Sequence, residues 1–97
     1  MRLEWLSLAE EDSRQILSYI GEDNPAAAIR VHDRIVETVE MLQDYTQMGR
    51  PGRNTGTREL VIPGTPYVVA YRVEGDVVKI LRVLHGAQKW PGEFPGR

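Results

Sequence analysis

The stretch ILRVLHGAQKW, residues 80–90, brings a basic and a titratable side chain together at the end of an apolar run. Arg82 interrupts the aliphatic residues, and His85 closes the run directly before Gly86. Histidine can act as a general acid or base near neutral pH, and arginine can stabilise charge on a phosphate. In the alternative interpretation, His85 only ends a strand and fixes the next turn by a hydrogen bond to a backbone carbonyl. Gly86, typical of a turn, favours this alternative.

Two further arginines are predicted to lie on strands close to Arg82. With Arg58 and Arg72, it could form a cationic cluster on one face of a sheet. The alternative for Arg82 is an ion pair with Glu59 or Glu74, because a charge within an apolar strand is usually paired or directed outward. The strand register decides between these alternatives, since a slip of one residue reverses which side chains share a face.

Two irregular segments offer candidate binding residues. Arg50 and Arg53 lie in the glycine-rich loop of residues 46–57, where they could bind a polyanion or the acidic side chains of a partner. The alternative is a solvated loop. Trp90 lies near Phe94 in an irregular tail that begins at about residue 86. These aromatic residues either fold back as a lid on the core or anchor a partner.

A single small domain over residues 1–97 must position all of these residues, because a chain of this length forms one core. The sequence has no cysteine and only two histidines, which predicts no disulfide and no metal site. It contains no apolar run long enough to span a membrane and no signal-peptide pattern. We therefore predict a cytoplasmic protein.

The charge is distributed unevenly along the chain. Residues 1–45 hold four arginines and ten acidic residues, whereas residues 46–97 hold eight basic and four acidic residues, so the halves carry −6 and +4. The total of −2 argues against a general nucleic-acid binder. The positive half could attract a polyanion or an acidic peptide, and the alternative is ordinary solvated charge.

Two helices are predicted after a short first strand at residues 2–6. Ser7 begins a capping-box pattern at the start of the first helix, which is predicted to end at Gly21. Asn24 followed by Pro25 indicates a second helix start, and apolar residues then recur at helical spacing over about four turns. The short connection predicts an antiparallel helical hairpin.

The second half of the sequence alternates between β-forming runs and turns. The turn signals at Gly64 and Gly75 separate the runs RELVI, YVVAYRV and VVKILRVLH. The predicted order is β-α-α-β-β-β, an α+β two-layer fold with the helical hairpin packed on an antiparallel-rich four-stranded sheet. The sheet face opposite the helices is predicted to be free, and chemistry or binding would take place there.

The segments GTREL, YVVAYRV and VVKILRVLHGA resemble the RelE/ParE superfamily of bacterial type II toxin-antitoxin toxins, and so do the DNPAAA joint and the GRPG loop. The resemblance covers nearly the whole chain. It implies a toxin that a cognate antitoxin holds inactive in a hetero-oligomeric complex, with operator DNA bound only through the antitoxin. It implies no metal, no cofactor and no membrane partner.

The superfamily divides by target, and this sequence is closer to the ParE-like branch, which inhibits DNA gyrase. Members that cleave mRNA carry an arginine at the position matching Val68 and, in some, a tyrosine where Gly86 stands here. The alternative is a RelE-like, ribosome-dependent mRNA endonuclease. Its catalytic residues would be Arg58, Arg82 and His85, with Arg72 as a transition-state clamp. Whether the protein is an enzyme depends on this choice of target.

Overall fold

The computed structural model describes residues 1–92 and Phe94. Its elements are β1 (Arg2–Trp5), α1 (Ser7–Asp23), α2 (Pro25–Glu40), a 3-10 turn (Met41–Gln43), β2 (Arg50–Pro51), β3 (Arg58–Val61), β4 (Tyr67–Glu74) and β5 (Val77–His85). Within the described residues, neither helix has the length and apolar character needed to cross a membrane.

The sheet has five strands in the order β1-β5-β4-β3-β2, so the predicted four-stranded sheet was wrong. The added strand is β2, which lies in the segment predicted to be a loop. Its two residues pair antiparallel with Arg58 and Glu59 at the start of β3. A strand this short has no hydrophobic periodicity, and its pairing is accompanied by a hydrogen bond from the Arg50 side chain to the Glu59 carboxylate opposite it. The sheet is mixed, since β1 runs parallel to β5 and the other pairs are antiparallel.

The first helix begins without the predicted capping box. Ser7 is its first residue, and the N-cap is Leu6, which makes no side-chain capping bond. Leu6 donates its backbone N–H to the Ile80 carbonyl, so the chain passes directly from the sheet into the helix. The helix also continues past Gly21, where a Cβ would lie 3.7 Å from Ala28 of the second helix. Gly21 therefore lies where the two helices pack closely, and it does not end α1.

The second helix begins as predicted. Asn24 is its N-cap, and the Oδ1 atom accepts a hydrogen bond of 3.0 Å from the Ala27 backbone N–H. Pro25 occupies the first helical position, where its missing N–H costs nothing. Ile35 and Val39 of this helix are fully buried against the sheet. The helical hairpin is therefore confirmed, and it covers one face of the sheet.

A second, smaller core lies on the sheet face opposite the helices, which we call the helix-free face. Its buried residues are Ala70, Leu81, Leu84 and Phe94, with Leu6 and Trp90 packed against them. The prediction that this face is free was therefore wrong, because the C-terminal tail covers part of it. The cause is the apolar surface that β4 and β5 present on both sides of the sheet, which an aromatic tail can bury.

A β-bulge in β5 positions the residues near its end. Ala70 of β4 pairs with Arg82, whereas the next residue, Tyr71, pairs with Ile80, so Leu81 is the extra residue. The parallel partner β1 ends opposite Ile80. Beyond this point the outer edge of β5 runs beside α1 and no longer beside a strand.

Candidate functional site

The Arg82 guanidinium is held by the carboxylate of Asp12, which lies in α1. Its Nε and Nη2 atoms donate hydrogen bonds of 2.7 and 2.9 Å to the two Asp12 oxygens. The same carboxylate accepts a hydrogen bond of 2.9 Å from the Val83 backbone N–H. It therefore takes the place of a strand partner at the edge of β5, beyond the point where β1 ends. The Asp12 hydrogen bond raises the pKa of Arg82. The predicted ion pairs with Glu59 or Glu74 are wrong, because α1 supplies the partner.

The His85 side chain organises the turn that follows β5. Its Nδ1 accepts a 3.0 Å hydrogen bond from the Ala87 backbone N–H. The backbone N–H of His85 donates to the side-chain oxygen of Gln88. The backbone carbonyl of His85 accepts a hydrogen bond from the Trp90 indole N–H. The His85 and Tyr67 rings pack edge to face, with 5.7 Å between their centres. His85 therefore ends the strand, but it accepts from an N–H and does not donate to a carbonyl.

The structure does not bring Arg58, Arg72 and Arg82 together. Arg58 is paired in register with Tyr71, whose ring lies in the core beneath the helices, and it donates to the Gly49 carbonyl at 2.7 Å. Arg72 follows Tyr71 and so points to the helix-free face. There its Nε lies 2.6 Å from a carboxylate oxygen of Glu74. Since Arg82 is turned towards α1, the three guanidinium groups have separate partners.

The two loop arginines converge on one buried carboxylate. Glu59 is only 4% exposed, and it accepts hydrogen bonds from the Arg50 side chain at 3.1 Å and from Arg53 at 3.0 and 3.2 Å. The Arg53 backbone N–H adds a fourth bond at 2.9 Å. Burial by itself raises the pKa of Glu59, but the hydrogen bonds from Arg53 and Arg50 outweigh it and hold this pKa below its usual value. Both guanidinium groups stay about half exposed.

The C-terminal tail folds back onto this arginine pair. The guanidinium carbon of Arg53 lies 3.7 Å from the centre of the Trp90 ring, and Asn54 donates to the Gly92 carbonyl. Trp90 also meets the edge of Phe94, with 6.3 Å between ring centres. Of the two alternatives for these aromatic residues, the structure shows the lid. We call residues 86–92 and Phe94 the C-terminal strap.

A groove of about 580 Å³ lies between α2 and β3, and the sequence did not reveal it. Its apolar wall includes Met41, Met48 and Val61, which are exposed by 47%, 39% and 49%. Arg34 and Arg50 lie on its polar rim. The walls come from three separate segments, so no sequence periodicity marks the groove. The exposed methionines, which adapt to varied partners, are the signal that could have pointed to it.

A second depression, of about 380 Å³, joins two of the candidate catalytic residues. Arg82 and His85 both line it, together with Tyr19 and Tyr67. Burial, with a smaller contribution from Tyr19, raises the pKa of Tyr67. No sequence pattern marks this depression, because α1 and β4 meet here only in the folded chain. Arg58 does not line this depression.

The Glu59 cluster predicts a loss of stability in acid. A carboxylate whose pKa is lowered by folding contributes stability above its ordinary pKa of about 4.3, and this is lost as the pH falls through the lower, folded value. We expect the wild-type protein to lose part of its free energy of unfolding below about pH 4, and Glu59→Gln to lose less over the same range. Urea unfolding at several pH values measures both. Equal losses in the two proteins would contradict the assignment.

The helical hairpin packed on a mixed sheet, together with the β4 and β5 sequences, defines a toxin domain of the RelE/ParE class. The family model described as "ParE toxin of type II toxin-antitoxin system, parDE" matches residues 3–90. The chain belongs to this ParE toxin family. The resemblance inferred from its sequence is thereby confirmed.

Named relatives and a solved structure agree with this family. The chain is 44% identical to the protein Y4kP of Sinorhizobium fredii over 90 residues, which is 93% of each chain. It is 36% identical to toxin RelE2 of Caulobacter vibrioides over 87% of this chain and 91% of that protein. A solved chain of the chromosomal ParDE system from P. aeruginosa superposes with a TM-score of 0.79 at 31% identity, covering 86% of this chain and 92% of that one.

Proposed function

We propose that this toxin inhibits DNA gyrase by binding to it, without metal or cofactor, and that a cognate antitoxin neutralises it. One observation carries the choice of target: the three candidate catalytic residues are each held in a different internal contact. Arg82 binds Asp12, Arg58 binds the Gly49 carbonyl, and His85 uses one ring nitrogen for its turn.

Metal-independent RNA cleavage needs a different arrangement. A base must activate the 2′-hydroxyl, an acid must protonate the leaving oxygen, and clustered cations must stabilise the charge on phosphorus. Val68 is buried in the sheet at the position where cleaving members carry an arginine. The guanidinium groups of Arg82 and Arg58 are already bonded to Asp12 and to the Gly49 carbonyl. The arrangement therefore supports a toxin that acts by adhesion.

A supercoiling assay with purified gyrase tests this proposal. The isolated toxin is expected to inhibit supercoiling of relaxed plasmid in proportion to its concentration, because it acts by occupying the enzyme. The matched control is the same toxin bound to its cognate antitoxin, which should leave supercoiling intact. Unchanged supercoiling at large toxin excess would reject gyrase as the target.

A ribosome-dependent mRNA endonuclease is the second candidate, and the depression that holds Arg82 and His85 is the observation that favours it. Tyr19 and Tyr67 line the same space and could contact a nucleotide. In a translating extract this candidate predicts codon-linked cuts that disappear in His85→Gln, since glutamine retains hydrogen-bonding groups but cannot titrate. Intact mRNA in the extract would exclude it.

We propose that the antitoxin docks in the groove between α2 and β3. In the described residues, β2 pairs with β3 only as far as Glu59, so the outer edge at Leu60 and Val61 has no strand partner. An extended or helical segment could bury Met41 and Met48 there. A partner segment that is disordered alone could become ordered on binding.

An acidic substitution in the groove is expected to weaken antitoxin binding. Met48→Glu places a carboxylate among apolar groups that the antitoxin would bury, and we expect the Kd to rise at least about tenfold. Val73→Glu is the matched control, because Val73 has the same 39% exposure but does not line the groove. Titration calorimetry with the antitoxin measures both. Equal affinities for the two variants would place the docking site elsewhere.

A further inference from the structure

The C-terminal strap is held in place by the loop that follows β2. Arg53 stacks on Trp90 at 3.7 Å, and Asn54 donates to the Gly92 carbonyl. The strap residue Phe94 is 6% exposed and packs with Leu81 and other apolar residues of the helix-free face. The position of this loop therefore decides whether the strap lies closed on the sheet.

The loop in turn is fixed by Glu59. This carboxylate accepts three of its four hydrogen bonds from Arg53: one from the backbone N–H and two from the guanidinium group. The guanidinium carbon held in this way lies over the Trp90 ring, 3.7 Å from its centre, which is within the range of a cation–π contact. The chain of contacts runs from β3 through Arg53 to the strap.

We propose that Glu59 is a positioning residue that keeps the C-terminal strap closed, with Arg53 as the link. When this link is broken, the strap opens and uncovers the apolar patch formed by Ala70, Leu81 and Leu84. The strap is thus a conformational device of the fold, separate from the groove and independent of the toxin's target. It gives the protein a closed form in which this patch is covered and an open form in which the patch is accessible.

Hydrogen exchange at the strap amides, including those of Ala87 and Gln88, measures the opening. Glu59→Gln and Arg53→Gln are each expected to raise the exchange rate about two- to five-fold, the effect of losing one exposed cation–π contact on the open population. The double variant is expected to exchange no faster than either single variant, because both changes break the same link. In a Trp5→Phe background, Trp90 emission should shift to the red in the same variants.

Glu74→Gln is the matched control. Glu74 is also an ion-paired carboxylate on the sheet, bound to Arg72 and Lys79, and its loss should leave the strap amides and Trp90 at wild-type values. The proposal is overturned if Arg53→Gln, which changes a half-exposed side chain, leaves exchange unchanged. It is also overturned if the effects of Glu59→Gln and Arg53→Gln add in the double variant, since they would then act independently.

Discussion

Replacing Asp12 with asparagine is expected to lower the free energy of unfolding by about 3 kcal/mol, the usual cost of removing one partner from a largely buried ion pair. The Asp12 side chain is 11% exposed and its partner Arg82 is 21% exposed, so water cannot fully replace the lost charge. Asparagine keeps one acceptor oxygen, but its NH₂ group would face the guanidinium donors. The Val83 N–H would compete with Arg82 for the remaining oxygen.

Chemical denaturation of the wild-type and Asp12→Asn proteins measures this loss. Glu11→Gln provides the comparison, because Glu11 forms an exposed ion pair with Arg14 on the same helix and should cost less than about 1 kcal/mol. If Asp12→Asn lowers the free energy of unfolding no more than Glu11→Gln does, the Asp12 carboxylate does not stabilise the end of β5. The interpretation of Arg82 as a structural cation would then lose its support.

Gly49→Ala is expected to cost about 2 kcal/mol, the range for adding a methyl group to a packed site. A Cβ at Gly49 would lie 2.7 Å from Cε1 and 2.8 Å from the hydroxyl of Tyr71, which is fully buried. That hydroxyl donates to the Thr46 carbonyl at 2.7 Å and accepts from the Gly49 N–H at 2.9 Å. To relieve the contact, the chain must move away and weaken both hydrogen bonds.

Gly92→Ala is the control for this substitution, because a Cβ at Gly92 has no neighbour within 4 Å. Thermal and chemical denaturation should therefore show a large loss of stability at one glycine and almost none at the other. Similar losses for the two variants would mean that backbone freedom, and not the contact with Tyr71, accounts for the Gly49 effect.

Local signals in the sequence were enough to predict most of the fold. Asn24 and Pro25 define the start of α2 by themselves, and the β-forming runs of the second half became β3, β4 and β5. The start of α1 at Ser7 was predicted, but its capping box was wrong, because Leu6 is the N-cap and is tied to Ile80, a contact that the sequence around Ser7 does not reveal. Two-residue β2 was missed because pairing with β3, and not periodicity, defines it.

The candidate site was harder to predict, because its contacts join distant parts of the chain. Arg82 was recognised as a charge that needs a partner, but its partner Asp12 is 70 residues away in the sequence. The bulge at Leu81 also changes the alternation of side chains along β5, so no register argument could place Arg82. The roles of Arg50, Arg53, Arg72 and Trp90 in binding remain predictions.

The parallel pairing of β1 with β5 has a consequence for synthesis. Residues 2–5 find their partners only at residues 77–80, so the sheet cannot be completed before residue 80 has left the ribosome. Contacts between such distant segments form slowly. The nascent toxin therefore cannot close its sheet until β5 has been synthesised.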